Sequence, residues 1–102
     1  MGERADKEAA QLALAEVAFQ QNNWTAAREL MHQLACTVPQ NKHYRAQLSY
    51  ARAGELLAAG ENNRAREELE RALRLVPDHA GALAMLARVR PSGRFLALFR
   101  RS

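Results

Sequence analysis

Apolar and polar positions along the chain follow a helical period that short polar or proline-containing segments interrupt. Apolar residues recur every three or four positions from Ala9 to Phe19, and the polar residues 21–23 end this pattern. The period resumes at Thr25 and stops before Pro39. The first part of the chain is therefore predicted to form two helices joined by a tight turn.

The rest of the chain repeats this order. A helical pattern runs from Tyr44 to Ala59 and meets Gly60, a residue suited to the left-handed conformation that closes helices. Another begins at Arg64 and stops before Pro77. There is no isoleucine and little valine or threonine, so we expect no sheet. Five helices are predicted, near residues 6–20, 25–36, 43–59, 63–75 and 80–90, with a short sixth after Ser92 left open.

The two predicted helix pairs share a sequence pattern. An Ala-Arg-Glu triplet occurs at residues 27–29 and again at 65–67, and a Val-Pro pair follows each second helix. The two prolines, Pro39 and Pro77, are 38 residues apart. An amphipathic helix pair cannot bury its apolar faces alone, so repeated pairs are expected to stack.

With these features the chain resembles the tetratricopeptide repeat family, whose unit is a helix–turn–helix of about 34 residues. The resemblance implies an all-α fold, an α-α superhelix of antiparallel helix pairs. It also implies one domain with repeats at residues 8–41 and 44–79, a capping helix at 80–90 and a basic amphipathic tail at 91–102. Four extra residues around 40–43 imply either a longer first helix in the second repeat or a looser loop. The residues that carry the resemblance are Leu14, Ala15, Trp24, Ala27, Met31 and Pro39 in the first repeat, and Gly60, Ala65, Leu69, Ala72, Leu73, Leu75 and Pro77 in the second.

The residue inventory offers little for catalysis. Cys36, the only cysteine, follows His32 by one helical turn, but its place among the apolar residues Leu30, Leu34 and Val38 favours a buried thiol that packs. The lone cysteine and the absence of a signal sequence indicate a cytoplasmic protein, and the richness in alanine and arginine suits a bacterial one. We expect no catalytic residue, no cofactor and no enzyme activity.

The histidines do not suggest a metal site either. His32 lies within a predicted helix, whereas His43 and His79 lie in connecting segments, so the three are not expected to converge. His79, beside Asp78, is placed to cap the start of the last predicted helix. We expect no metal ion.

The family resemblance places the concave face on the first helix of each repeat. The lysines and asparagines with which some members bind anionic C-termini are absent from the matching positions. The face is instead neutral and partly apolar, which favours a peptide or helix of another protein. Phe19 and Tyr50 could equally pack between repeats. The candidate partner-binding residues are Glu16, Phe19, Gln20, Gln47, Tyr50, Leu57 and Arg88, with Gly54 and Ala84 on the same face.

The C-terminal tail is basic and amphipathic. Residues 71–102 carry seven arginines and one acidic residue, whereas residues 1–70 carry eight basic and ten acidic residues. As a helix, the tail would group its apolar residues on one side, covering the stripe of Leu83, Leu86 and Ala87 or docking on a partner. Contact with an anionic membrane is a third alternative, and nucleic acid is disfavoured. The tail candidates are Phe95, Leu98, Phe99, Arg100 and Arg101.

Two functions follow. The first is an adaptor that binds a peptide or helix of a partner protein in its concave groove. The second is a structural subunit or secretion-type chaperone, held in a larger complex through its tail and end faces.

Overall fold

The computed structural model describes residues 2–89, apart from the side chain of Arg4. These residues form five helices and no strand, which confirms the predicted all-α fold. Consecutive helices pack against each other in chain order. The helices are α1 (Gly2–Gln20), α2 (Trp24–Thr37), α3 (Lys42–Ala58), α4 (Asn62–Leu75) and α5 (Ala80–Val89).

The turns within the two helix pairs have the same geometry. Gly60 has a φ of 80°, as expected, and Asn22 occupies the equivalent place with a φ of 56°. After α1, the Asn23 amide donates to the Ala18 carbonyl at 2.8 Å, and after α3 the Glu61 amide donates to the Leu56 carbonyl at 2.8 Å. These bonds satisfy carbonyls that the end of a helix leaves unpaired.

Two consecutive helices, α2 and α3, start alike. The side chain of Asn23 accepts a hydrogen bond from the Ala26 amide at 3.2 Å and caps α2, and that of Asn41 accepts from the Tyr44 amide at 3.1 Å and caps α3. Residues 38–41 form the connection between α2 and α3, which is as short as the connection at residues 76–79. The four extra residues around 40–43 therefore lengthen a helix and not the loop, and α3 has 17 residues.

Small residues line the contacts between helices. Ala65 and Ala72 are fully buried, as the family pattern implied, and the equivalent Ala27 in α2 is also fully buried. Met31, Leu34 and Leu69 are the largest fully buried side chains in the described part of the chain. With so few bulky residues, the core depends on close helix approach at alanine.

The prediction for Cys36 was wrong. Its side chain is exposed, because α2 buries Ala27, Met31, Leu34 and Ala35, and position 36 lies about 100° around the helix from position 35. The Sγ atom lies 3.8 Å from Nε2 of His32 on the same exposed surface. Cys36 is therefore a surface thiol and does not pack in the core.

Candidate functional site

Three aromatic side chains from three helices form a cluster on one side of the helix pairs. Phe19 at the end of α1 stacks on Tyr50 of α3, with ring centroids 5.4 Å apart and planes at 24°. Trp24, the first residue of α2, meets both rings edge-on, at 6.1 Å from Phe19 and 5.5 Å from Tyr50. Such edge and offset contacts are favourable arrangements of aromatic rings. The aromatic cluster therefore ties α1 and α2 to α3.

Two glycines make room for this cluster. A Cβ atom on Gly54 would lie 2.1 Å from the indole of Trp24, and one on Gly81 would lie 2.8 Å from the ring of Tyr50. Real Cβ atoms do not approach other atoms so closely, so each ring lies directly against the backbone of a neighbouring helix. Because Gly54 and Gly81 are helical, close approach rather than an unusual backbone conformation explains their identity.

His79 joins the cluster to the start of α5. Its Nδ1 atom accepts a hydrogen bond from the Ala82 amide at 2.9 Å, which confirms the predicted cap, and its ring lies 5.0 Å from that of Tyr50. With Nδ1 accepting, Nε2 carries the proton and donates to the side-chain oxygen of Gln47. Burial lowers the pKa of His79, so its surroundings favour the neutral imidazole.

A shallow pocket lies beside the aromatic cluster. It has a volume of about 280 Å³ and joins the first residue of α2 to α3 and α5. An apolar base with one cation at its edge can accept an apolar side chain and pair with an adjacent acidic group. The Trp24 pocket is lined by Trp24, Gly54, Leu57, Ala58, Met85 and Arg88.

Hydrogen bonds between α2 and α3 lie beside this pocket. The carboxylate of Glu55 accepts from Arg28 Nε at 2.6 Å and from the Thr25 hydroxyl at 2.9 Å. Thr25 follows Trp24 directly, and Glu55 follows Gly54. The two contacts therefore hold together the helix segments that bring Trp24 onto Gly54.

Arg88 acts on the cluster as well as on the pocket. Burial raises the pKa of Tyr50, and the charge of Arg88 opposes that rise. The guanidinium of Arg88 is thus close enough to the Tyr50 phenol to affect its ionisation, while its side chain remains exposed. This places a solvent-accessible cation where the aromatic cluster meets the Trp24 pocket.

The structure separates the predicted concave-face residues into three groups. Leu57 and Arg88 come together in the Trp24 pocket. Phe19 and Tyr50 stack on each other and Gln47 bonds to His79, so these three serve the junction between repeats. Two further candidates lie on the exposed surface of α1, outside the residues that line the pocket: Glu16 and Gln20. The tail candidates, residues 95–101, lie outside the described residues.

The roles of Trp24 and His79 in this cluster were not evident from the sequence. Trp24 stood out only as one of the residues that carry the family resemblance, and His79 only as a cap. The spacing of Gly54 within a long helical pattern was the available signal, since an unexplained glycine inside a helix often marks a close approach.

A larger depression lies at the other end of the first helix pair. It has a volume of about 700 Å³ between the start of α1 and the end of α2, and it is lined by residues that include Glu3, Lys7 and Glu8. Gln11 and Gln33 hydrogen-bond to each other at 3.0 Å among its walls. Its mixed charges and exposed amides give it no consistent chemical preference, unlike the Trp24 pocket.

The described residues provide no metal-binding cluster and no membrane-crossing helix. Within residues 2–89, no three His, Cys, Asp or Glu side chains are grouped so that they could hold a metal ion. None of the helices in that range combines the length and apolar character that a bilayer crossing requires.

Comparison with known proteins finds a family model that matches part of the chain. Residues 45–89 match the family model described as tetratricopeptide repeat. The match covers 45 of the 102 residues, so it identifies a tetratricopeptide repeat in this segment, and the stacked helix pairs support that assignment. Repeats of this family generally mediate interactions between proteins and are typically not enzymes. No curated protein and no solved structure matches the chain. The boundaries of the individual repeats and the single-domain organisation stay predictions.

Proposed function

We propose that this protein is an adaptor that binds a helix or extended peptide of a partner protein through the Trp24 pocket. The observation that supports this most is the combination of an indole ring, Leu57 and Met85 with the exposed guanidinium of Arg88 in one pocket. The ligand inserts an apolar side chain into the pocket. An acidic residue of the ligand, one turn away in a helix or adjacent in an extended peptide, pairs with Arg88. The cytoplasm is the proposed location, in line with the free thiol of Cys36.

The rigidity of the surrounding residues supports the proposal. The indole of Trp24 is held against Gly54 and meets Tyr50 edge-on, so the pocket exists before a ligand arrives. A preformed pocket loses little conformational entropy on binding, which favours affinity from a small contact area. A single pocket of this size suits one anchoring side chain, and further contacts would come from the adjoining surfaces of α3 and α5.

Affinity purification with variant chains tests this function. Proteins retained by the natural chain are compared with those retained by Arg88→Glu, which reverses the charge at the pocket, and by Glu70→Lys, which reverses an exposed charge on α4. A partner that is retained by the natural chain and by Glu70→Lys but lost by Arg88→Glu supports the proposal. Retention of the same proteins by all three chains refutes it.

An exposed apolar surface on α1 supports a second function. Leu14 and Val17 lie one turn apart and are 59% and 48% exposed. In a stack of repeats the outer face of the first helix is normally polar or covered. A structural subunit or secretion-type chaperone held through its end faces would bury these residues. A protein that is monomeric and stable when purified alone favours the adaptor, whereas one that requires co-purification with a partner favours the subunit.

A further inference from the structure

A groove between α3 and α4 has a strongly basic lining. Its volume is about 430 Å³, and four arginines but no carboxylate line it. The arginine groove is lined by Arg45, Leu48, Ser49 and Arg52 of α3 and by Arg71, Arg74 and Leu75 of α4. These residues differ from those of the Trp24 pocket, so the two sites are independent.

Helical geometry brings the four arginines together. Positions 45, 48, 49 and 52 repeat at intervals that share one face of α3, and positions 71, 74 and 75 do the same on α4. The two helices are joined by a tight turn and pack as antiparallel neighbours, so the end of α4 lies beside the first half of α3. Cations from both helices therefore face one groove.

Local electrostatics accounts for only some of these arginines. Arg74 lies in the last turn of α4, where the helix dipole favours a cation, and Arg71 lies 3.5 Å from Glu68. Arg45 lies in the first turn of α3, where the dipole disfavours a cation, and its contact with the Pro39 carbonyl is long, at 3.4 Å. Within residues 2–89, Glu68 is the acidic residue that forms an ion pair with a member of the groove.

The floor of the groove would strengthen binding of an anion. Leu48 and the half-buried Leu75 reduce the local dielectric constant, and Ser49, which is buried, carries a hydroxyl group that can donate a hydrogen bond. A guanidinium presents two parallel N–H donors that fit the oxygens of a phosphate group. Four guanidinium groups in one groove repel one another, and an anion with more than one charge between them would offset this repulsion.

We propose that the arginine groove binds a phosphate group that carries a double negative charge. One carboxylate offers a single charge and satisfies one guanidinium, whereas a phosphate monoester has three acceptor oxygens and a charge near −2. This binding is separate from capture of a partner at the Trp24 pocket. It gives the protein a second ligand, on the face that α3 shares with α4.

Calorimetric titration of the full chain with inorganic pyrophosphate tests the proposal. Sodium acetate and sodium chloride at the same ionic strength serve as reference anions. We expect saturable binding of pyrophosphate, and we expect the double variant Arg52→Gln/Arg71→Gln to weaken it by about tenfold or more. Arg64→Gln, which removes an exposed arginine of α4 outside the groove, should change the affinity by less than about twofold.

Two further arms guard against misfolding and identify the phosphate source. Arg52→Lys keeps the charge and loses the two-pronged donor, so a variant that melts like the natural chain but binds pyrophosphate more weakly supports the geometry. A phosphoserine peptide and phosphatidic acid vesicles carry the same group. If the peptide or the vesicles bind more tightly than pyrophosphate, and Arg52→Lys weakens that binding, the ligand of the groove is of that kind. If neither binds more tightly than pyrophosphate, the ligand is a free phosphate. Pyrophosphate binding no stronger than chloride binding, or equal in the natural chain and the double variant, would overturn the proposal.

Discussion

The indole ring of Trp24 lies directly against the backbone of Gly54, so a methyl group on residue 54 would come within 2.1 Å of it. Alanine is otherwise the better residue inside a helix, by about 0.5–1 kcal/mol. In α3 the steric conflict outweighs that preference, and we expect Gly54→Ala to lower the free energy of unfolding by about 1–3 kcal/mol. Chemical denaturation measures the change.

A double-mutant cycle provides the control for this substitution. Trp24→Leu removes the ring that the new methyl group would contact, so Gly54→Ala should cost much less in that background. An equal cost in both backgrounds would show that Trp24 is not the cause.

The same argument applies to a buried alanine at a helix contact. Ala72 is fully buried in α4, and Ala72→Leu should lower the free energy of unfolding by about 1–3 kcal/mol because no space exists for the larger side chain. Ala13→Leu, on an exposed position of α1, is the matched control and should stay within about 0.5 kcal/mol. A thermal melt in which the two variants behave alike would contradict the packing described for α4.

The helices themselves were predictable from sequence, whereas the long-range contacts were not. Several helix boundaries follow from a local signal such as Gly60, Pro39 or the capping residue Asn41, whereas α1 begins at Gly2, four residues before its predicted start. Cys36 was predicted to be buried but is exposed, because on α2 the buried Ala35 and the exposed Cys36 are adjacent in sequence. Apolar periodicity shows that a helix has a buried face, but neighbouring residues at its edge can fall on either side.

The candidate site was predictable only in part. Leu57 and Arg88 were identified from the concave face, and the structure brings them into one pocket. Their neighbour Trp24 belongs to α2, the second helix of its predicted repeat. The family resemblance places the concave face on the first helix of each repeat, so it did not include Trp24. The arginine groove combines positions 45, 52, 71 and 74, whose convergence depends on how α3 and α4 are rotated against each other. No local sequence pattern predicts how α3 and α4 are rotated against each other.

The stability of the protein should depend on His79 in mildly acidic solution. Burial lowers the pKa of folded His79 below its usual 6.5, so the unfolded chain takes up a proton first as the pH falls. The contribution of His79 is therefore present above pH 6.5 and is lost as the pH falls through the folded pKa. His79→Asn keeps a capping side chain, as Asn41 does for α3, and cannot titrate. Denaturation at a series of pH values should show a smaller loss in this variant; parallel curves would contradict the assignment.

Alkaline solution should weaken the link between α1 and α3. The hydroxyl of Tyr44 donates to the carboxylate of Glu8, and this bond raises the pKa of Tyr44 from 10.0 to about 12. The folded state holds the proton more tightly, so the stabilisation is complete below pH 10 and is lost as the pH rises towards 12. Tyr44→Phe should be less stable at neutral pH and less sensitive to alkali. Spectrophotometric titration of the phenol gives the pKa directly, and a value near 10 would exclude this account.

The fluorescence of Trp24 tests the central claim most directly, because it is the only tryptophan of the chain and lines the proposed binding pocket. The partner segment recovered by affinity purification is titrated into the protein while the emission is recorded, with calorimetry as an independent measure of binding. We expect a saturating change in emission that follows the calorimetric curve. Arg88→Glu should shift that curve by about tenfold, and Glu70→Lys should leave it in place. Binding by calorimetry with unchanged Trp24 emission and an unchanged affinity in Arg88→Glu would contradict the claim.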